Sequence, residues 1–305
     1  MPSDFRNIIE ELCKEKEIEY DVVSNGWLIV LRKDNKIKSI FGYKFDLNGY
    51  NSGSICDDKF ATSELCKLLN IPVVDETIFY RSTNKNAYAE GKKTYEDMLK
   101  YFNEHNQNIV LKRTNGTCGQ DVYHIEDTDV LEKVYNEIFI DNDTICASPY
   151  YNVENEYRAI VLNGEIKLMY KKIKPVVVGD GKKTIAELLR EFNPYYFRNY
   201  KNDVVLREGE EYQYGWKFNL AAGSLPSLEI DDLVRQEVSE IVLNASKKLN
   251  MNFCSVDVIK CKDEDKYYVM ELNTGVMMNR FIKEAPDGYN IAKQIYSDAI
   301  DEMMK

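Results

Sequence analysis

The sequence predicts an α+β protein built from lobes that close on one another. The chain has 305 residues, of which 44% are hydrophobic, so it is long enough to bury a large core and too apolar to be disordered. Amphipathic helical patterns alternate with short extended runs along the whole chain. Since no low-complexity linker separates these elements, we expect subdomains in contact and not independent domains.

Residues 1–55 predict a small N-terminal lobe. A charged helical pattern at 5–17 is followed by a strand at 27–31 and by the polar turn Asp34-Asn35-Lys36. Nothing in this pattern indicates a chemical role for the lobe.

Residues 56–150 predict a second lobe that mixes helices and strands. Its first helix starts near Asp57 and ends before Pro72. The residues expected on the buried face of this helix are Phe60, Ala61, Leu65, Leu68 and Leu69. The later elements are an extended run at 77–80, a helix opened by a capping box at Thr94, strands at 108–112 and 122–125, and a helix through Phe139.

Residues 151–305 predict the third part of the chain, which starts with a hairpin. Strands at 157–162 and 165–169 flank Asn163-Gly164, the strongest short-range hairpin signal. The later elements are a helix opened by a capping box at Thr184, a tyrosine-rich polar region at 191–216, a helix at 231–250, and strands at 253–259 and 267–271 joined by the charged turn 262–266.

Composition excludes several classes of partner and of chemistry. The net charge of -11 would repel nucleic acid and anionic lipid, and no apolar run approaches the roughly 20 residues that a membrane span needs. The seven cysteines are scattered without a Cys-x-x-Cys pair, which favours the reducing cytoplasm over a disulfide framework. Two histidines are too few for a histidine-rich metal centre. An enzyme of this composition is expected to use carboxylates and lysines.

The last two strands carry polar side chains where alternation predicts an apolar face. Asp257 lies on the first strand, and Glu271 lies on the second with Asn273 in phase beyond it. If the strands pair antiparallel, these three side chains converge on one sheet face. Such an oxygen-rich set suits a hard divalent cation such as Mg²⁺. The alternative is that all three are solvent-facing polar residues on an edge strand.

A glycine-bearing loop at 113–121 connects two predicted strands. Gly116 and Gly119, with Thr117 between them, would let backbone N–H groups approach a phosphate, and Lys112 at the strand end would add a positive charge. The loop matches neither a Walker motif nor the Rossmann glycine pattern. The alternative is an ordinary turn.

The order of these motifs resembles the ATP-grasp superfamily, in particular the ATP-grasp domain of cyanophycin synthetases and the similar C-terminal part of bifunctional glutathione synthetases. The resemblance covers about residues 50–285. The motifs that carry it are, in order, Asp58-Lys59, the Lys112 strand with its glycine loop, Glu156-x-Arg158, the run 174–189 around Gly179-Asp-Gly181, Asn219 to Gly223, Asp257, and Glu271-Leu-Asn273.

The resemblance implies a fold in which two α+β lobes clamp ATP: residues 56–150 as the lid and residues 151–305 as the C-terminal lobe with the metal site. It implies an ATP-dependent ligase that joins a carboxylate to an amine through an acyl phosphate and forms an amide bond. The cofactors would be ATP and Mg²⁺, with Mn²⁺ as the alternative. The substrates would be amino acids or small peptides, and a homo-oligomer is compatible with the sequence.

The resemblance also implies roles for individual residues. The nucleotide would contact Lys59, Lys112, Gly116, Thr117 and Gly119 through its phosphates, the hinge residues Ser148, Tyr150 and Tyr151 through adenine, and Glu156 through ribose. Catalysis would involve Lys217 and Asn219 at the γ-phosphate, with Arg158 and Arg280 as candidates for holding phosphate or the acid substrate. The metal ligands would be Asp257, Glu271 and Asn273.

Two departures from the family pattern lie near the expected acceptor pocket. Gly223-Ser224 stands where related sequences often have paired glycines, and 274–278 replaces the more usual proline-glycine continuation. The substrates of the relatives therefore do not transfer to this chain. Two alternative functions stay open: a kinase of a small metabolite on the same fold, and a non-catalytic nucleotide-binding protein.

Overall fold

The chain folds into helices packed on antiparallel sheets. A computed structural model describes residues 4–83, 91, 94–116, 119, 121–195 and 197–305. The helices are α1 Asp4–Glu15, α2 Tyr50–Cys56, α3 Lys59–Leu68, α4 Tyr95–Glu104, α5 Thr128–Asp141, α6 Ile185–Phe192, α7 Asp232–Lys248, α8 Asn279–Glu284 and α9 Gly288–Met304. Within these described ranges no helix is both long and apolar enough to cross a bilayer.

The strands form sheets that each belong to one part of the chain. They are β1 Glu19–Val23, β2 Leu28–Lys33, β3 Lys36–Phe41, β4 Lys44–Phe45, β5 Thr77–Tyr80, β6 Ile109–Lys112, β7 Val122–Ile125, β8 Thr144–Pro149, β9 Val153–Leu162, β10 Glu165–Ile173, β11 Val176–Val178, β12 Glu211–Gln213, β13 Leu225–Ser227, β14 Phe253–Cys261 and β15 Lys266–Asn273. The sheet orders are β1-β2-β3-β4, β5-β8-β6-β7, β11-β12 and β13-β10-β9-β14-β15.

The central sheet, β13-β10-β9-β14-β15, is buried on both faces. The hairpin predicted at Asn163-Gly164 is confirmed, since both residues have positive φ (49° and 76°) between the paired strands β9 and β10. On one face, Ala159 and Val161 pack against α7. On the other face, Ile160 and Leu162 pack against α9 and the N-terminal lobe. Glu156 and Arg158 lie on this same face of β9, so it changes from apolar to polar along the strand.

The sheet β5-β8-β6-β7 has its own core with α4 and α5. Phe79 of β5, Phe102 of α4, Leu131 of α5 and Ile145 of β8 are all buried in it. The predictions of β5 at 77–80 and of β7 at 122–125 are confirmed to the residue, and the capping box at Thr94 is formed. The loop predicted to bind phosphate joins β6 to β7, which pair antiparallel.

The N-terminal sheet contains more strands than the sequence predicted. Only β2, near the predicted 27–31, was expected, whereas β1, β3 and β4 were not. Alternation in β1 is limited to Tyr20 and Val22, which are partly buried against the core, and this short pattern is too weak to mark a strand. Helix α1 covers this sheet and packs against α9, which joins the lobe to the central core.

The expected buried face of α3 is only partly confirmed. Leu65 and Leu69 pack against the core, but the fully buried residues are Thr62, Ser63 and Cys66, and Leu68 is 79% exposed. A buried Ser63 is stable because its hydroxyl donates to the Val74 carbonyl (2.9 Å) and accepts from the backbone N–H of residue 76 (3.2 Å). Hydrogen bonds, which hydrophobic periodicity does not report, therefore decide which face of this helix is buried.

We expect Tyr296→Phe to destabilise the protein. The buried Tyr296 hydroxyl donates to the Val276 carbonyl (2.8 Å) and accepts from the Met278 N–H (3.2 Å), so its loss leaves two backbone groups unpaired at a cost of roughly 1–3 kcal/mol. The urea midpoint measures this, with Tyr50→Phe as the control because Tyr50 is 91% exposed. Equal midpoints for both variants would contradict the prediction.

Candidate active site

A row of charged side chains crosses one face of the central sheet. Arg158 on β9 lies opposite Asp257 on β14 and opposite Tyr170 on β10. Two residues before Arg158, Glu156 lies opposite Lys172. Because residues i and i+2 of a strand share a face, the two cations and two carboxylates lie on the same side of the sheet.

Arg158 and Asp257 form a bidentate ion pair at the centre of this row. Arg158 Nε lies 2.7 Å from Asp257 Oδ1, and its Nη2 lies 2.5 Å from Oδ2. Asp257 is only 1% exposed. Burial opposes ionisation of this carboxyl, but Arg158 and Lys172 outweigh it and lower the pKa of Asp257 to about 2. The carboxylate therefore stays charged at every physiological pH.

Lys172 connects this pair to Glu156. Its Nζ forms an ion pair with Glu156 and lies 3.2 Å from Asp257 Oδ2. Burial, reinforced by the neighbouring Asp257 charge, outweighs Lys172 and raises the pKa of Glu156 to about 7. Glu156, predicted to contact ribose, is thus buried and paired with Lys172 inside the protein.

The three predicted metal ligands occupy adjacent positions on β14 and β15. Asp257 lies directly opposite Glu271, and Asn273 follows two residues after Glu271. The Asn273 amide donates to Glu271 Oε1 (2.8 Å), which leaves the amide oxygen as the group that could bind a cation. No group of three or more His, Cys, Asp or Glu side chains suited to a metal occurs in the described part of the chain. A cation site here would need Asn273 as well as the two carboxylates.

Lys59 links these carboxylates to the glycine-bearing loop. Its Nζ donates to the Gly116 carbonyl (2.7 Å) and lies 3.5 Å from Glu271 Oε2. Asp58 caps α3, and the Lys59 N–H donates to the Thr114 carbonyl (3.0 Å), so the start of the helix is fixed against the same loop. The loop and the sheet edge, which are distant in sequence, are therefore joined through one ammonium group.

Lys112 at the end of β6 is held by a buried carboxylate that sequence analysis missed. Its Nζ forms an ion pair with Glu76, and both residues are almost fully buried. The second oxygen of Glu76 accepts from the Cys146 thiol at 3.0 Å. Burial works against the charge on Lys112, but Glu76 outweighs it and raises the pKa of the lysine. Lys112 is therefore a fixed positive charge.

Lys217 and Asn219 reach the other side of the same loop. Lys217 Nζ donates to the Gly119 carbonyl (3.2 Å) and lies 5.6 Å from the Trp216 ring centroid. Gly119 has φ +66°, and a Cβ there would lie 2.8 Å from Asn219 Nδ2, so the amide rests directly over the glycine. Burial lowers the pKa of Lys217 to about 8, and the charge of Asp121 offsets only part of this effect.

The predicted hinge lies at the end of β8. Ser148 is buried, and the Tyr150 ring stacks on His124 with centroids 3.9 Å apart and planes 14° apart. The Tyr151 hydroxyl accepts from the Asp75 N–H (3.1 Å), which fixes the far side of the hinge to the segment before β5. Aromatic rings therefore border the predicted hinge. Thr117 of the glycine-bearing loop, which was predicted to contact phosphate, lies outside the residues that the structure describes.

Arg280 lies apart from the charged row, on α8. Its guanidinium carbon is 5.4 Å from the centroid of the Phe192 ring. No ion pair or hydrogen bond of this guanidinium involves any residue that the structure describes. The structure therefore brings together the predicted phosphate, metal and lysine residues around Glu271 and the loop, and places Arg280 at a separate corner.

The chain is similar in sequence to proteins of known family. Residues 215–299 match the RimK-like ATP-grasp domain family. A cyanophycin synthetase from Trichormus variabilis is 25% identical over 205 residues, which are 66% of this chain and 21% of that protein. The glutathione biosynthesis bifunctional protein GshAB from Listeria monocytogenes is 26% identical over 151 residues, which are 41% of this chain and 20% of that protein.

A solved structure extends the likeness to the fold. The D-alanine–D-alanine ligase from Bacillus anthracis superposes with a TM-score of 0.57 at 16% identity, covering 84% of this chain and 69% of that chain. The superposition shows the ATP-grasp fold, and residues 215–299 are similar to the RimK-like ATP-grasp domain. The chain spans about a fifth of the length of the curated relatives that it matches.

Lys172 and Glu76 are buried charged residues of the candidate site that sequence analysis missed. The Asn163-Gly164 turn alone would place Lys171 opposite Glu156. The irregularity between Ile166 and Leu168 shifts the register by one residue and brings Lys172 there instead. Glu76 also leaves no signal in the local sequence, since only the folding of β5 beside β8 brings it to Lys112.

We expect Arg158→Met to destabilise this protein by roughly 3–5 kcal/mol, because it leaves the buried Asp257 charge with Lys172 as its remaining cation. The matched control is Arg32→Gln, which removes an exposed ion pair with Asp21 and should cost only about 0–1 kcal/mol.

Urea unfolding across pH distinguishes charge from packing. The difference in unfolding free energy between wild type and Arg158→Met should become smaller as the pH falls. Protonation of Asp257 removes the buried negative charge that has lost its arginine partner. A deficit that is independent of pH would attribute the loss to packing instead.

Proposed function

We propose that this chain catalyses the ATP-dependent joining of a carboxylate to an amine. The observation that carries the proposal is the position of Lys59, whose ammonium group lies between the Gly116 carbonyl and Glu271. This contact sets a loop suited to phosphate beside carboxylates suited to a divalent cation. The sequence likeness to cyanophycin synthetase and GshAB supports the same chemistry.

ATP would lie between a lid lobe, residues 56–150, and a C-terminal lobe, residues 151–305. Lys59, Lys112 and Lys217 come from three separate segments and supply the positive charge that a triphosphate requires. The aromatic hinge at Tyr150 would face adenine. Glu156 would contact ribose only after exchanging its partner Lys172.

The reaction would proceed in two steps that need no protein nucleophile. A substrate carboxylate oxygen attacks the γ-phosphorus of ATP, which forms an acyl phosphate and releases ADP. The substrate amine then attacks the acyl carbon, forms the amide, releases phosphate and loses a proton. In the first step anion approaches anion, so Lys217 and the lysines around the loop act by neutralising charge and by holding the two reactants in line.

Asp257, Glu271 and Asn273 have the donor chemistry that Mg²⁺ or Mn²⁺ prefers, and they are neighbours in the β14–β15 register. The cation would neutralise phosphate oxygens when bound. Arg158 holds both oxygens of Asp257, so we propose Glu271 and Asn273 as the donors that are more readily available.

The proposal includes amino acids or small peptides as substrates and a cytoplasmic location. The location rests on the cysteines, since Cys13, Cys56, Cys66, Cys146, Cys254 and Cys261 are buried free thiols. Burial raises the pKa of Cys13 to about 11 and that of Cys56 to about 12, so these thiols are unreactive.

Mass spectrometry of a substrate pool tests the reaction type. The protein is incubated with Mg²⁺, ATP and a mixture of amino acids, dipeptides and small carboxylic acids. A product equal to two pool members less one water supports ligation and names both substrates. A pool member that gains only a phosphoryl group would make the protein a kinase, and intact ATP in every mixture would support a nucleotide-binding protein.

We expect Glu271→Gln to lower ADP formation by about 100-fold or more, because it removes a charged donor from the cation site beside the phosphates. Circular dichroism and the urea midpoint check that the fold is kept. The control is Glu264→Gln in the exposed β14–β15 turn, which should turn over like the wild type. Undiminished turnover in Glu271→Gln would refute this assignment.

We expect ATP affinity to fall as the pH rises above 8. Without ATP, Lys217 has a pKa of about 8. Above that pH the lysine must take up a proton before it can bind phosphate, so the affinity for ATP drops by up to about tenfold per pH unit. Calorimetry between pH 7.5 and 9.5 measures the slope. Lys217→Arg stays charged and should give a flat profile. Identical slopes in the two proteins would exclude Lys217 as the titrating group.

A further inference from the structure

The segment 217–224 extends from the glycine-bearing loop to a second corner of the molecule. At one end Lys217 and Asn219 contact Gly119. At the other end Gly223 has φ +98°, and a Cβ there would collide with Tyr214 Oη. A ligand held at this second end would be connected to the phosphate loop through one short piece of backbone.

Ser224 brings an unpaired hydroxyl to this corner. The residue is 1% exposed, and its Oγ has no hydrogen-bond partner among the residues that the structure describes. Its backbone N–H is already used, since it donates to the Asn219 carbonyl (3.1 Å). A buried hydroxyl without a partner costs free energy, and such groups are rare in native structures unless a ligand or water pairs with them.

Arg280 brings an unpaired cation to the same corner. Its guanidinium carbon lies 5.4 Å from the Phe192 centroid, and a Cβ on Gly223 would lie 3.4 Å from Cε1 of that same ring. Helix α8, which carries Arg280, also packs against strand β13 and against the 3₁₀ turn at 220–222, the two elements that flank Ser224. In the described ranges no carboxylate pairs with this guanidinium.

We propose that Ser224 and Arg280 form a subsite for a carboxylate of the substrate that does not itself react. The inference rests on the proposed ligase function and names a feature of its substrate class: an amino acid or peptide with a free carboxylate besides the reacting group. Guanidinium is the cation that matches a carboxylate best, and the Ser224 hydroxyl adds a donor. The triphosphate is the weaker candidate, since Lys59, Lys112 and Lys217 already surround the glycine-bearing loop.

The steady-state test uses the substrate found in the pool and its primary amide, which replaces the carboxylate with an uncharged group. Arg280→Gln should raise KM for the acid about 10- to 100-fold, as expected for loss of a hydrogen bond between charged groups, and should change KM for ATP less than about twofold. The variant should then discriminate little between acid and amide. Arg280→Lys should restore part of the preference through charge alone.

Arg198→Gln is the matched control. The Arg198 guanidinium carbon also lies over an aromatic ring, 5.4 Å from the Tyr195 ring centroid. Arg198 is exposed and does not belong to the proposed subsite. This variant should keep the wild-type KM for the acid and for ATP.

Ser224→Ala separates binding from folding. Removing a hydroxyl without a partner should leave the urea midpoint equal to or above that of the wild type, while KM for the acid rises by about fivefold or more. A lower midpoint with unchanged KM would mean that Ser224 is structural, and would overturn the subsite. Equal losses for acid and amide, or a larger effect on ATP than on the acid, would overturn it as well.

The experiments distinguish failure of the subsite from failure of the ligase proposal. If the wild type turns over no pool member, the ligase proposal fails, and the subsite is then tested by thermal shift with the same acids and their amides in the absence of ATP. Stabilisation by acids, but not by amides, that is lost in Arg280→Gln supports the carboxylate subsite. Equal shifts in wild type and variant, or no shift with any acid, overturn it.

Discussion

The buried ion pair between Arg158 and Asp257 is the interaction on which the arrangement of the site depends. Both residues lie on inner strands of the central sheet, and the Asp257 carboxylate is only 1% exposed, so its charge depends on a partner inside the protein. An unpaired charge there would cost several kcal/mol, whereas the bidentate pair satisfies both groups. The pair therefore favours the register in which these two side chains lie opposite each other.

That register fixes the positions of the other functional residues. Once Asp257 is placed, the antiparallel pairing of β14 and β15 puts Glu271 opposite it, and the hairpin of β9 and β10 puts Lys172 beside it. Glu271 lies beside the Lys59 ammonium group, which also donates to the Gly116 carbonyl of the glycine-bearing loop. Segments that are far apart in sequence thus reach one place through a short series of ionic contacts.

Much of the fold follows from local sequence, whereas the pairing of charges does not. The two-residue alternation predicted that Asp257 and Glu271 share a sheet face if the strands on either side of the turn 262–266 pair antiparallel, and they do. The partner of Asp257 depends on the pairing of β9 with β14, which are separated by about a hundred residues, and no local pattern specifies it. The same reason hides the contact between Glu76 and Lys112.

The failures of sequence prediction also have a common physical cause. Thr62 and Ser63 are buried in α3 although a hydrophobic pattern assigns them to the solvent face, because Ser63 forms hydrogen bonds that only the tertiary structure supplies. Strand β1 pairs with β2 and buries only part of Tyr20 and Val22, so it leaves little mark in the sequence. Polar interactions between distant segments are the part of the fold that periodicity cannot report.

The N-terminal lobe, for which the sequence indicates no chemistry, forms one wall of the segment that follows Glu271. The Tyr43 carbonyl accepts from the Val276 N–H (3.1 Å), and the Tyr43 hydroxyl accepts from the Asn279 amide (2.9 Å). Asp57, which pairs with Lys44, accepts from the Thr274 hydroxyl (2.9 Å).

These bonds fix the backbone between the predicted metal ligands on β15 and Arg280 on α8 from the outside. In the ligase proposed above, this segment would set the distance between the phosphate region and the corner at Ser224 and Arg280. The packing of the N-terminal lobe would then bear on which substrates can span the two.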